Sequence, residues 1–426
     1  MKKIVAFIIA IFYFINNSIA QKPYIIADKA VEVVSFFPLE DLRLLQSPFK
    51  NAMDKDAAYL LSLKPDRFLY RFRLNAGLQP KDSIYGGWET AGVSGHSLGH
   101  YLSACSMLYA ASGDERFKKI TDYIVDELAL CQDARKTGYV GAIPGEDSLF
   151  DQIARGNIRA GANLNDVWVP WYTLHKMLAG LVDAYRYTGN DKALIIATKF
   201  ADWTSNKFKN LTEAQFQTML DCEHGGMNEV LANIYASTGN KKYLELSYRF
   251  DHKKILDPLS QGVDELAGKH ANTQIPKVIG AARQYELTGD DKEKRTADYF
   301  WQTVTQHHSY VIGGNSDYEH FTKPDELADH LSTNTTETCN SYNMLKLTQH
   351  LFTWNADGSY MDYYERTLYN HILASINPEN GMTCYYVPLV TGAEKIYGTP
   401  TNSFWCCTGT GMENQCKIWR KYLCKR

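Results

Sequence analysis

One carboxylate and three thiols stand in two short segments far apart in the chain: Glu337 and Cys339 in Thr336-Glu337-Thr338-Cys339, and Cys406 with Cys407 in Phe404-Trp405-Cys406-Cys407-Thr408-Gly409. Together they make up the donor number that a tetrahedral Zn²⁺ takes. Residues two apart on a regular helix point about 200° away from each other, so Glu337 and Cys339 can share a metal only at an irregular helix start. Adjacent cysteines likewise need a turn to converge. Two plainer readings use the same residues: Glu337 as the fourth member of a capping box opened by Asn334, and Cys406-Cys407 as a strained vicinal disulfide.

Other side chains could also carry chemistry. His96 and His100 have the i,i+4 spacing of a helical metal pair, but no Glu lies between them and the zincin pattern is absent. Core packing or contact with a polar ligand remain for both. Glu319 sits in the polar stretch Asp317-Tyr318-Glu319-His320-Phe321, where a solvated loop carboxylate and a proton donor look alike. Trp171 and Tyr172, side by side at a helix start, offer either a stacking surface or core packing.

The elements that must position these residues are helical. Apolar residues recur at three-to-four spacing over 98–111, 120–130, 171–187, 193–208, 230–237, 275–287, 297–305 and 338–352. Strand-like alternation is sparse before 382–390, and the class is all-α. A punctuation mark repeats: Tyr109 to Gly113-Asp114, Tyr185 to Gly189-Asn190, Tyr235 to Gly239-Asn240 and Tyr285 to Gly289-Asp290 each end one helix and open the next. Gly supplies the left-handed C-terminal cap, and Asp or Asn the following N-cap. The last three marks are about fifty residues apart, the length of a two-helix hairpin, so the chain is either an open solenoid or a closed α/α toroid. The toroid is favoured because long irregular stretches, 132–165 and 313–336, interrupt the repeat where a cleft would be built.

Bulk properties narrow the partners. A formal net charge of -3 over 426 residues, without basic clusters, gives no footprint for nucleic acid or an anionic membrane. The 28 Tyr and 8 Trp suit a sugar-binding cleft. Lys2-Lys3, the apolar run 4–15 and Ser18-Ile19-Ala20 read as a cleavable secretory signal over residues 1–20, so the mature chain is expected in the periplasm or outside the cell. No Cys follows the cleavage site, which argues against a lipid anchor there. Cys105, Cys131 and Cys222 sit singly on apolar helical stretches, as buried free thiols do.

The stretches 337–347, from Glu337-Thr338-Cys339 to Leu347, and 406–414, from Cys406-Cys407 to Asn414, resemble the β-L-arabinofuranosidases of glycoside hydrolase families 127 and 146. The likeness extends to Gly95–Ser103, Trp168–Lys176, Gly225–Leu231 and His270–Lys277, in order. It implies an (α/α)6 barrel over residues 21–414 and a zinc ion held by Glu337, Cys339, Cys406 and Cys407. Cys406 would be the nucleophile of a retaining exo-acting enzyme, and Glu319 its acid and base. A metal keeps sulfur ionised, and the thiolate replaces the second carboxylate of ordinary retaining glycosidases. Partial burial is expected to raise the Glu319 pKa so that it starts protonated. His96, His100, Trp171, His175, His270 and Tyr386 become candidate contacts to an arabinose-containing oligo- or polysaccharide of the plant cell wall. A non-catalytic sugar-binding remnant, a related glycosidase for another pectic sugar, and a helical scaffold with a structural zinc are the alternatives.

The final residues, 415–426, depart from the family pattern. Read from a plausible codon series with one adenine removed, that tail becomes His-Ala-Lys-Tyr-Gly-Glu-Asn-Ile-Phe, the kind of segment expected there. A frameshifted or misassembled end is one expectation, a short variant the other, and either leaves the end of the barrel altered and the family's β-sandwich domains absent.

Overall fold

The computed structural model describes residues 21–417 and 424–425. The expected signal segment, 1–20, and most of the tail lie outside the described residues.

Twelve helices alternate between an outer and an inner position. They are α1 (Pro48–Ser62), α2 (His96–Ser112), α3 (Glu115–Arg135), α4 (Pro170–Thr188), α5 (Asp191–Lys207), α6 (Met227–Thr238), α7 (Lys241–Arg249), α8 (Ala271–Thr288), α9 (Asp291–His307), α10 (Thr338–Trp354), α11 (Gly358–Thr367) and α12 (Cys406–Lys417). The even-numbered helices form the inner ring, each packing on the next, and α12 returns to pack on α2. The odd-numbered helices pack outside them, with α1 covering the junction between α12 and α2. The ring is therefore a closed (α/α)6 toroid rather than an open solenoid. Gln415, Cys416 and Lys417 continue α12, and Cys416 is buried against Asp56 of α1.

The repeated punctuation does what its residue types require. Gly113, Gly189, Gly239 and Gly289 all adopt φ between 71° and 75°, and each donates its backbone N–H to the Tyr carbonyl four residues back. Asp114, Asn190, Asn240 and Asp290 then accept a backbone N–H from the first turn of the outer helix. Of the two irregular stretches, the first is partly helical, since α3 runs on to Arg135 and residues Glu146–Ala154 form a further short helix. The segment 382–390 is extended but forms only isolated bridges, one of them between Glu337 and Tyr386. Among the described residues no helix is long and apolar enough to cross a membrane. Cys105, Cys131 and Cys222 are buried free thiols.

Residues 22–33 form a belt across the C-terminal ends of four inner helices. Lys22 donates its backbone N–H to the Arg186 carbonyl of α4 and Ile26 to Ala236 of α6; Lys29 donates to Glu286 of α8 and Val33 to Thr353 of α10. Each step of three to four residues in extended chain spans about 10–13 Å, close to the 8–10 Å between packed helix axes. Carbonyls left without partners at a helix end are thereby satisfied. Side chains reinforce the belt at Glu286, a buried carboxylate that accepts from Arg283 at 2.7 Å and faces His350 at 2.6 Å, while the Arg283 guanidinium also reaches Asp28 at 2.8 Å.

Burial opposes the charge on Glu286, but His350 and Arg283 outweigh it and bring its pKa down to about 2. A depressed carboxylate contributes stability above its ordinary pKa and loses it as pH falls through the folded value. Glu286→Gln should therefore cost about 3–5 kcal/mol at pH 7, with the gap to wild type closing between about pH 4.5 and pH 2. Urea unfolding across that range checks this, and a gap independent of pH would refute it.

Candidate active site

The inner helices present their N-terminal ends to one mouth of the barrel, and the chemistry gathers there. Glu337 is the N-cap of α10 and Cys339 its second helical residue; Cys406 and Cys407 are the first two residues of α12. The irregular helix start that a shared metal requires is present, because Glu337 has extended backbone (φ -61°, ψ 131°). The residues just upstream are held in the left-handed region, Thr336 at φ 55° and Phe404 at φ 49°. For Thr this is a costly conformation. It is over-determined by two bonds: Thr336 donates its N–H to the Ser316 carbonyl at 3.0 Å and its hydroxyl to the Val387 carbonyl at 2.6 Å.

One ligand atom from each of Glu337, Cys339, Cys406 and Cys407 lies within 4.8 Å of the other three, and all four residues are buried. Cys406 Sγ is 3.8 Å from Glu337 Oε1 and 3.9 Å from Cys407 Sγ, and Cys407 Sγ is 3.9 Å from Glu337 Oε1. A tetrahedron with Zn–S bonds of about 2.3 Å has edges of about 3.8 Å. Cys339 Sγ and Cys407 Sγ approach to 3.1 Å, and the other carboxylate oxygen of Glu337 is buried without a hydrogen-bond partner. Burial pushes the Glu337 carboxyl and the Cys406 thiol well up, the Cys406 and Glu319 charges adding to the effect at Glu337. Four buried acids with an orphaned oxygen are the donor set a divalent cation stabilises, so the residues fit a metal. The helix starts at Glu337 and Cys406 add partial positive charge. The vicinal disulfide is not formed, and Glu337 stands at the N-cap position of α10, with no capping bond from its side chain, rather than closing a box from Asn334.

The cleft above this cluster has a volume of about 520 Å³ and contains Cys406, Glu337, Glu319, His270, Tyr385, Trp88, Trp168 and Glu223. Glu319, at φ 69°, is half-buried; its carbonyl accepts the Ala271 N–H at 2.7 Å, which fixes the loop on the start of α8. Its carboxylate accepts from the Tyr385 hydroxyl and lies 3.6 Å from His270 Nε2. The expectation that burial leaves Glu319 protonated is corrected. Burial does raise its pKa, but the hydrogen bonds from His270 and Tyr385 overcome that and hold it below the usual value. Correspondingly, burial lowers His270, and the Glu319 bond more than restores it. His270, Glu319 and Glu337 form a second convergent set of possible ligand atoms, sharing Glu337 with the first.

The remaining candidates divide between cleft and interior. His270 lines the cleft. His96 is fully buried between Tyr172, at 3.3 Å, and Ser97, at 3.1 Å. His100 is buried against Glu413 at 2.6 Å, directly under α12, where a Cβ on Gly409 would fall 2.2 Å from its ring. His175 lies under Gly225 and Gly226 and faces a second cavity of about 440 Å³ further down the lumen. Trp171 is fully buried among Phe150, Phe208 and Phe250 and donates to the Met219 sulfur, so it is core and not a sugar platform. Tyr386 lends its backbone to Glu337 and packs against Tyr385 with tilted rings 4.7 Å apart, but it is the Tyr385 hydroxyl that reaches both Glu319 and, at 3.5 Å, Cys406.

Sequence reasoning missed Tyr385, Trp88, Trp168 and Glu223. A turn signal was available for one of them. Asn165-Asp166, both with positive φ, turns a short hairpin that pairs Asn163–Leu164 with Val167–Trp168 and lifts Trp168 against Trp88 at 4.8 Å.

A closed ring of inner helices with an acid-and-thiol cleft at their N-termini defines a protein of the (α/α)6-barrel class. The chain belongs to the family of the β-L-arabinofuranosidase GH127 catalytic domain, whose model matches residues 41–420. It is 27% identical over 329 residues to a non-reducing end β-L-arabinofuranosidase of Bifidobacterium longum, covering 67% of this chain and 47% of that protein. The chain thus spans about half the length of that relative. Among solved structures it resembles a GH127 β-arabinofuranosidase, with a TM-score of 0.73, 19% identity and coverage of 92% of this chain and 63% of the other. A GH127 β-L-arabinofuranosidase from Geobacillus stearothermophilus T6 is similar at a TM-score of 0.68 and 19% identity, covering 90% and 64% of the two chains. At these identities the likeness concerns the fold.

The division between core and cleft is testable. Trp171→Ala should lose about 3–5 kcal/mol of stability, whereas Trp168→Ala should lose roughly 1 kcal/mol or less. Urea denaturation of the two variants measures the contrast, and similar losses would contradict the assignment.

Proposed function

We propose that the protein is a retaining, exo-acting β-L-arabinofuranosidase that removes terminal arabinofuranose from plant cell-wall glycans, with Cys406 as nucleophile and Glu319 as acid and base. The supporting observation is the meeting of Cys406 and Glu319 in one cleft, both in contact with the Tyr385 hydroxyl. Glu337, Cys339, Cys406 and Cys407 would hold a zinc ion. When bound, it would keep sulfur ionised at neutral pH.

The chain's own residues account for the proton. Because the Glu319 pKa is held down and that of His270 is held up, a proton shared by the two rests on His270 rather than on the carboxylate. As Cys406 sulfur bonds to the anomeric carbon, the bond to the departing oxygen breaks and that oxygen takes the proton of His270 relayed through Glu319, leaving a carboxylate beside a neutral imidazole. In the second half the Glu319 carboxylate removes a proton from water, the water oxygen bonds to the anomeric carbon, and the carbon–sulfur bond breaks. The Tyr385 hydroxyl donates to Glu319 and accepts from the Cys406 thiol, positioning both groups. Export to the periplasm or beyond, proposed from Lys2-Lys3 and the apolar run 4–15, would put the chain where wall glycans are met.

Two measurements test this reading. One zinc per chain is expected by elemental analysis. Cys406→Ser should cut hydrolysis of an aryl β-L-arabinofuranoside by about a thousandfold or more, and full activity in a zinc-free wild-type chain would overturn the proposal. Tyr385→Phe removes a donor to the ionised form of Glu319 and so raises its pKa. The acid limb of the kcat/KM profile should move to higher pH, with a loss of about tenfold near neutrality; an unmoved limb would rule out the positioning role.

A further inference from the structure

Glu223 lies in the connection before α6 and lines the same cleft as Cys406 and Glu319. Its carboxylate is half-buried, yet among the described residues it has neither a hydrogen bond nor an ion pair. The groups around it are engaged elsewhere. Lys277 is buried, donates to Gln274 Oε1 at 2.9 Å and meets His252 Nδ1 at 3.0 Å. Asp221 is held by Lys254 at 3.1 Å and His252 at 3.3 Å. The Glu223 charge nevertheless reaches the reacting groups: it adds to the upward push on Glu337, after burial and the Cys406 and Glu319 charges, and it helps to hold His270 up.

A carboxylate offers two acceptor oxygens and no donor. Placed without a partner in a cleft that also contains Trp88 and Trp168, it matches the vicinal hydroxyls of a sugar whose apolar face rests on an aromatic ring. Its sign matters as well. The cleft already places the carboxylates of Glu319 and Glu337 beside that of Glu223. A ligand carboxylate brought into this half-buried space meets like charge at short range, enough to weaken binding by about tenfold or more.

We propose that Glu223 is a specificity-determining residue. It accepts hydroxyls of an uncharged sugar beside the bond to be cleaved, and it excludes glycans that carry a uronate there. This rests on the glycosidase reading above, and it selects the neutral, arabinose-type side chain over the acidic pectic backbone as the context of the cleaved unit.

The test compares two leaving groups that differ only in charge: a β-L-arabinofuranosyl galacturonic acid and its methyl ester. The full chain is expected to favour the ester by about tenfold or more in kcat/KM at pH 7, and Glu223→Gln, which keeps the shape and removes the charge, should reduce that preference to about twofold. Dissociation constants of both ligands for Cys406→Ser, alone and combined with Glu223→Gln, give the same ratio without turnover. Circular dichroism confirms that the variants fold. An equal preference with and without Glu223→Gln, or no preference in the full chain, overturns the proposal. Failure of the full chain to cleave an aryl β-L-arabinofuranoside while still binding the ester over the acid would instead count against the glycosidase reading alone.

Discussion

Six parallel inner helices must all deliver their N-termini to one mouth of the ring, and the rest of the structure depends on that. Helix N-termini leave backbone N–H groups without partners and carry the positive ends of the helix dipoles. A mouth lined by them tolerates acids, and here it receives Glu337 as the N-cap of α10 and Cys406 and Cys407 at the start of α12. The glycine caps at the far ends of the inner helices, and the outer helices that follow them, return the chain so that every inner helix can run the same way.

The same constraint explains why the backbone is irregular where the acids meet. Regular helix starts would splay Glu337 from Cys339; left-handed Thr336 and Phe404 bring the two segments together instead, and Gly409 lets α12 settle onto the His100 ring. The extended segment that carries Tyr385 is pinned through its backbone, since the Thr338 N–H donates to the Tyr385 carbonyl at 3.0 Å. The Tyr385 hydroxyl is thus fixed between a carboxylate from a loop and a thiol at the start of α12.

Much of this architecture was legible in the residues. The four glycine and Asp or Asn pairs marked helix boundaries because a left-handed cap followed by an N-cap suits both residue types; their spacing carried the repeated hairpins, and the irregular stretches 132–165 and 313–336 carried the choice of ring over solenoid. The convergence of 337–339 with 406–407 was legible as a donor count, though not as geometry. Side-chain direction was harder to read. Trp171 and Trp168 flank the same helix start, and hydrophobicity cannot say which one the hairpin lifts out. Tyr385 and Tyr386 are neighbours in an extended segment, where a shift of one residue exchanges the two faces. His96, His100 and His175 look like ligand contacts by residue type, but burial places His96 and His100 within the ring and His175 at the second cavity rather than in the cleft. The direction of the Glu319 shift depended on two donors that arrive from distant segments, which local burial does not reveal.

The belt at the opposite end has a temporal meaning. Its acceptors stand at 186, 236, 286 and 353, so the earliest residues of the described chain find their partners only after most of the later ones have been synthesised and have taken up helical form. Such long sequence separation is costly to close and slows assembly. The ring can therefore gather its hairpins one after another as they emerge, while residues 22–33, made before them, wait to become the clasp that locks them.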